Sequence, residues 1–222
     1  MDTSEFWAPY TEFFTMPGGA SEPAVDKELG QQSVHPSVLS ARPYQRHLLR
    51  QYLSSRSYVP ERFRNGNQTM QTQTFYVANQ VPQIQNNFNS GIWSSLESAV
   101  QSLAKSEEIY VVTGVAFNRE GENRTINYVS PANNSSQKCP IPNYFYKLVL
   151  RVKYSGSTIS AARAIGFRME HKTYSGDSYQ NYSVTVDEIE KWTGIDFFVN
   201  LPDPIESSAE SASANWSDVL KW

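Results

Sequence analysis

Within residues 74–97, Asn89 and Glu97 have types and spacing that suit a hard metal ion. Asn79 closes an expected strand, Asn89 sits in a polar loop, and Glu97 follows eight positions later in a helix. Eight positions are about two helical turns, so an amide oxygen at the helix entrance and the carboxylate share one side. Oxygen donors this sparse suit a cation that keeps several waters, as magnesium does. Residue type leaves plainer roles open. Asn at a helix start is a common cap, and Glu on a helix is usually a solvated charge. The other chemical signal is basic: Arg42, Arg46, Arg50, Arg56, Arg62 and Arg64 stand against one acid, Glu61, within residues 42–64. Arginine forks match phosphate oxygens; the alternative is a solvated face.

These residues need elements to hold them. Thr74 to Ala78 has the aromatic and β-branched content of a short strand. Asn86 to Gly91 is a polar loop. Ile92, Leu96, Ala99, Val100 and Leu103 then fall on one face and predict a helix to Lys105, capped by Asn89 or Ser90. Ile109–Thr113 reads as a buried strand ended by Gly114, and residues 118–138, with Cys139 just beyond, as a long polar loop. Tyr144–Val152 and Ile159–Phe167 read as strands joined at Ser155-Gly156-Ser157. Thr185 and Glu188 have capping-box spacing and open a helix to Trp192, ended by Gly194. Trp192, Phe197 and Phe198 read as packing residues. The expected fold is α+β, a central and mainly antiparallel sheet flanked by helices. Residues 1–41 read as weakly structured, 42–201 as one domain, and 202–222 as an acidic Ser/Ala-rich tail, loose except where Trp216, Leu220 and Trp222 could dock.

Composition sets outer bounds. The 222 residues carry a net charge of −3, which excludes a globally basic nucleic-acid binder but not a local basic groove. One cysteine excludes an intrachain disulfide and a cysteine-based zinc site. His35, His47 and His171 lack metal-ligand spacing. No apolar run approaches the roughly 18 residues of a membrane span, so no membrane partner is expected. No secretory leader is legible. A secreted or periplasmic location is expected over a cytoplasmic one if a leader is missing from this chain.

Six segments in order carry a family resemblance: Thr74-Phe75-Tyr76-Val77-Ala78-Asn79-Gln80-Val81-Pro82-Gln83; Phe88-Asn89-Ser90-Gly91-Ile92-Trp93 with Leu96-Glu97; Tyr110-Val111-Val112-Thr113-Gly114; Pro142-Asn143-Tyr144-Phe145-Tyr146-Lys147; Val184 to Glu190; and Thr193 to Phe198. Together they resemble the DNA/RNA non-specific endonucleases, the ββα-metal or His-Me finger nucleases, over about residues 60–200. The resemblance implies a ββα finger at residues 54–104 and magnesium-assisted hydrolysis of DNA or RNA phosphodiesters, with a homodimer as a common assembly. By motif position it makes Asn89 the metal ligand, Glu97 the carboxylate that orients metal-bound water, and Asn79 a supporting residue. It gives phosphate contacts to Arg56, Arg62 and Arg64.

One position departs from the pattern. The family's D-R-G-H histidine deprotonates the attacking water. Pro60 and Met70 align with the family and set Ser57 at that position; a shifted register sets Tyr58 there instead. Neither is an imidazole, and an unassisted hydroxyl is a poor base near pH 7. His47 lies ten residues upstream. An arginine one turn after the glutamate is replaced by Gln101. Two expectations follow: a metal-dependent nuclease of impaired activity, or a catalytically dead nuclease fold that binds nucleic acid or a protein partner.

Overall fold

The computed structural model describes residues 14–16, 53–57, 59–60, 63, 68–74, 79–119, 121–130, 136, 138–212 and 214–221, with the side chains of 14–16, 53–57 and 70 excepted. Strands β4 (Ile109–Ala116), β7 (Tyr144–Ser155) and β8 (Thr158–Glu170) form the centre of an antiparallel sheet. Short edge strands β1 (Phe14–Met16) and β9 (Ser183–Val184) complete the order β1-β4-β7-β8-β9. The first eight residues of β7 are all buried, because helices cover both faces of the sheet. Such a strand reads as a near-continuous apolar run rather than an alternating one.

Alternation still decides which face each side chain meets. Phe145 and Val149 of β7 join Ile165, Phe167 and Met169 of β8 in one buried cluster with helix α2 (Ser94–Ala104). Tyr146, Leu148 and Leu150 point the other way. They pack with Val186 and Ile189 of α3 (Val186–Thr193), with Phe197, Phe198 and Leu201, and with Ala209 of α4 (Asp203–Glu210). The α+β fold expected from sequence is the observed one, in three layers. Trp192 and Phe197 pack on Tyr146.

The capping box on α3 forms as expected. Thr185 Oγ1 accepts from the Glu188 backbone N–H at 3.1 Å, and Glu188 Oε2 accepts from the Thr185 N–H at 3.0 Å. Gly194 ends the helix at φ 71°, a conformation glycine adopts without steric cost.

Of the strand expected at 74–78, residues 75–78 lie outside the described residues; Thr74 lies in the turn after α1 (Gln68–Gln73), and β3 (Gln80–Ile84) is the described strand before the loop. Four other expectations change. Gly114 does not end its strand. It pairs with Tyr146 inside β4, and a Cβ there would sit 2.2 Å from that ring, so the glycine serves close packing. The long loop holds a small hairpin, β5 (Asn127–Val129) with β6 (Cys139–Ile141). Cys139 therefore stands in a strand, and burial pushes its thiol up to about 11. The segment after Pro202 contains α4 and α5 (Trp216–Val219). Trp216 docks against Phe167, whereas Leu220 is exposed and Trp222 lies outside the described residues.

Candidate active site

Strand β2 (Leu53–Ser57) pairs antiparallel with β3, from Leu53↔Ile84 to Ser57↔Gln80. The chain then makes a wide turn over Gln85–Trp93 and enters α2. The result is a β-β-α unit. The turn is not a simple helix start. Asn86 is extended (ψ 133°), Asn87 is left-handed (φ 61°), and Gly91 takes φ −125°, ψ −112°. The Ser94 N–H donates to both Asn89 O and Gly91 O, and the five-residue step is π geometry. Such bulges recur at functional sites. The expected side-chain cap is absent: Ser90 Oγ donates back to Gln85 O at 2.9 Å, and no side chain caps α2.

Aromatic packing fixes this turn. Phe88, fully buried, lies 5.2 Å from the Phe145 ring and 5.9 Å from Trp93 between centroids. Half-buried Asn89 is thus held between anchored neighbours. Its Nδ2 donates to Gln85 Oε1 at 3.4 Å, and among the described residues nothing donates to its Oδ1. Glu97 is buried in the first turn of α2, where the helix dipole favours a carboxylate.

Asn79 is 2 % exposed and spends its amide on the backbone. Its Oδ1 accepts from the Val59 N–H at 2.9 Å, and its Nδ2 donates to Val59 O at 3.1 Å and Thr74 O at 2.8 Å. It ties the chain leaving β2 to the chain entering β3. Register sets Ser57 beside it, opposite Gln80, and Arg56 opposite Val81. Asn89 and Glu97 follow the other end of β3. Val81 belongs to the same buried cluster as Ile92, Leu96 and Val100, so hairpin and helix close over one core. The side chains of Ser57 and Arg56, and the whole of His47, Tyr58, Arg62 and Arg64, lie outside the described residues.

His171 is the residue that sequence reading missed. It follows β8, and its Nε2 accepts from the Ile84 N–H at 2.7 Å, at the entrance to the turn. Its Nδ1 donates to Pro142 O at 2.8 Å. The ring packs edge-on to Phe88 and Phe145. Burial lowers its pKa to about 4, so it is neutral at pH 7 with both nitrogens engaged. It pins the finger to the sheet and is not free to act as a base. A lone histidine 87 positions from its partner leaves no local signal. Beside it, Arg124 and Lys172 pair with Glu170 at 3.3 and 2.9 Å, and Arg124 with Glu122 at 2.8 Å. Those cations are already neutralised in part, which makes them weak candidates for a phosphate clamp.

The family profile described as DNA/RNA non-specific endonuclease matches residues 57–204. A nuclease of Serratia marcescens is 27% identical over 139 residues, covering 61% of this chain and 47% of that protein. Nuclease C1 of Cunninghamella echinulata var. echinulata is 32% identical over 139 residues, covering 58% of this chain and 50% of that protein. The chain spans about half the length of these curated relatives. A chain in the solved EndoG/EndoGI complex superposes with a TM-score of 0.65 at 20% identity, covering 87% of this chain and 79% of that one, a likeness of fold. With two thirds of its length inside that family match, and with a β-β-α finger on an antiparallel sheet, this chain belongs to the DNA/RNA non-specific endonuclease family.

Proposed function

We propose that the chain hydrolyses phosphodiester bonds of DNA and RNA with a divalent cation, magnesium, held at Asn89. The observation that carries this reading is the turn itself. Packing of Phe88 and Trp93 and the bond to Gln85 fix the Asn89 amide and leave its Oδ1 uncommitted among the described residues. The donor set fits: one amide oxygen with a carboxylate nearby in the fold leaves most coordination to water, which magnesium accepts and which zinc, preferring nitrogen and sulfur, does not favour. When bound, the cation polarises the phosphate and stabilises the leaving oxygen. Glu97 orients water, and Asn79 holds the Ser57 end of the hairpin in place. Arg56, Arg62 and Arg64 bind phosphate.

Catalysis is slow in this reading, because Ser57 stands where the family has its general base. Lost acid–base help costs about 10²–10⁴-fold. The test is cleavage of supercoiled plasmid and of RNA by the purified chain, with magnesium or with EDTA. Slow nicking that EDTA and Asn89→Ala both abolish is the expected result. Tight nucleic-acid binding with no cleavage would overturn it in favour of a binding protein on a nuclease fold. A homodimer and a secreted or periplasmic location complete the proposal; light scattering checks the first and cell fractionation the second.

A further inference from the structure

On the sheet face opposite the finger, Asp187 and Glu190 of α3 meet Glu210, the last residue of α4. Their carboxylate oxygens lie within 4.8 Å of one another. Acidic clusters on a surface are common, but this one has a buried member. Glu210 is 6 % exposed, and its Oε1 is buried without a hydrogen-bond partner. Glu206, one turn earlier on α4, also buries an oxygen without a partner. Leaving a carboxylate oxygen buried and unbonded is costly unless something binds it.

The surroundings call for positive charge. The charged groups that bear most on Glu210 are Glu190, Glu206, Asp187 and Asp196, all acids. Glu210 also stands at the C-terminal, negative end of α4, which favours a cation and disfavours another anion. Glu190 Oε1 accepts from the Phe197 N–H at 2.7 Å, which fixes that carboxylate in place. Asp187 is exposed and leaves the cluster open to solvent.

We propose that Asp187, Glu190 and Glu210 form a second cation site, separate from the finger, that takes calcium. The oxygens lie within 4.8 Å of one another, close enough to share one divalent cation. Donor number argues for calcium, which takes several carboxylates in a flexible geometry, whereas magnesium demands a near-ideal octahedron and keeps most of its waters. The bound ion clamps α3 to α4, and with them the loop carrying Phe197 and Phe198. Its role is structural and does not depend on whether the chain cleaves nucleic acid.

The test is thermal unfolding and calorimetric titration of the full chain after EDTA treatment, with calcium or magnesium added at 1 mM. Calcium raises Tm by about 3–5 °C in the unsubstituted chain and in Asn89→Ala alike, and magnesium by clearly less. In Glu210→Gln the calcium shift is lost, while the metal-free Tm stays at or above that of the unsubstituted chain. Asp187→Asn, at an exposed position, keeps the fold in any case and weakens calcium binding at least tenfold. The proposal is overturned if calcium gives no shift, if magnesium shifts Tm as much, or if Asp187→Asn binds calcium unchanged. A shift lost in Asn89→Ala and kept in Glu210→Gln also overturns it, by assigning the ion to the finger.

Discussion

Two pairs of residues with buried polar atoms, one pair on each face of the sheet, differ in their partners. On the finger face, Asn79 and His171 spend their side-chain nitrogens and oxygens on backbone partners. On the other face, Glu206 and Glu210 bury carboxylate oxygens with no partner. Bonded groups build a rigid frame, and the unbonded carboxylate oxygens are the ones we assign to an ion. The finger face holds fully bonded Asn79 and His171 beside Asn89, to whose Oδ1 no described residue donates. Rigidity around a metal ligand keeps its geometry from being lost to side-chain motion.

Four measurements bear on this contrast. The largest effect belongs to Phe88→Ala, which removes a fully buried ring that touches Trp93, Phe145 and His171. It should lower stability by about 3–5 kcal/mol in urea unfolding. A loss under about 1 kcal/mol would mean the turn does not depend on that anchor.

The second is pH. His171 is neutral when folded, with its pKa lowered to about 4, and titrates near 6.5 when unfolded. The unfolded chain binds the extra proton between those values, so its contribution is present above about 6.5 and is lost as pH falls toward 4. The full loss is about 3 kcal/mol. Glu210 has the opposite sign. Its carboxyl rises from 4.5 to about 8 on folding, so its contribution is present below about 4.5 and is lost as pH rises toward 8. The stability curve of His171→Asn should lose a slope that rises with pH between about 4 and 6.5, and that of Glu210→Gln a slope that falls with pH between about 4.5 and 8. Parallel curves would remove the contrast.

Asn79→Ala comes third. It strands the Val59 N–H and Val59 O, leaves Thr74 O with its second donor, Gln80 Nε2, and should cost about 2–3 kcal/mol, read by chemical unfolding. The smallest effect is Glu210→Gln at pH 8 in EDTA. It removes repulsion rather than a bond and should raise Tm by about 1–3 °C. A fall in Tm would show that the carboxylate is stabilised by something other than a cation.

Much of this arrangement is legible in the sequence, for reasons that differ by region. The α3 capping box and the β7–β8 hairpin turn are local chemistry, and both form where residue types put them. The apolar stripe of α2 and the continuous runs of β4, β7 and β8 give the three layers. Departures arise where a distant partner decides. Gly114 continues its strand because Tyr146 lies across it. Pro82, with no N–H to give, suits the β2–β3 sheet, which has two strands among the described residues. Asn89 fails to cap α2 because Phe88 and Trp93, packed on Phe145, hold the turn in π geometry. Residue type and family pattern point to Asn89 and Glu97, which lie in the turn and in α2; His171 and Glu210 leave no such signal, since their partners lie far along the chain or on another helix.

In the function proposed, the finger keeps a metal-binding frame, and the missing imidazole at position 57 limits its rate. Single-turnover cleavage of supercoiled plasmid in magnesium decides this, comparing the unsubstituted chain, Ser57→His, and Ser57→His combined with Asn89→Ala. A gain of about 10²–10⁴-fold in Ser57→His, erased by Asn89→Ala, is the predicted result. No gain in Ser57→His, or a gain that survives the loss of Asn89, would contradict it.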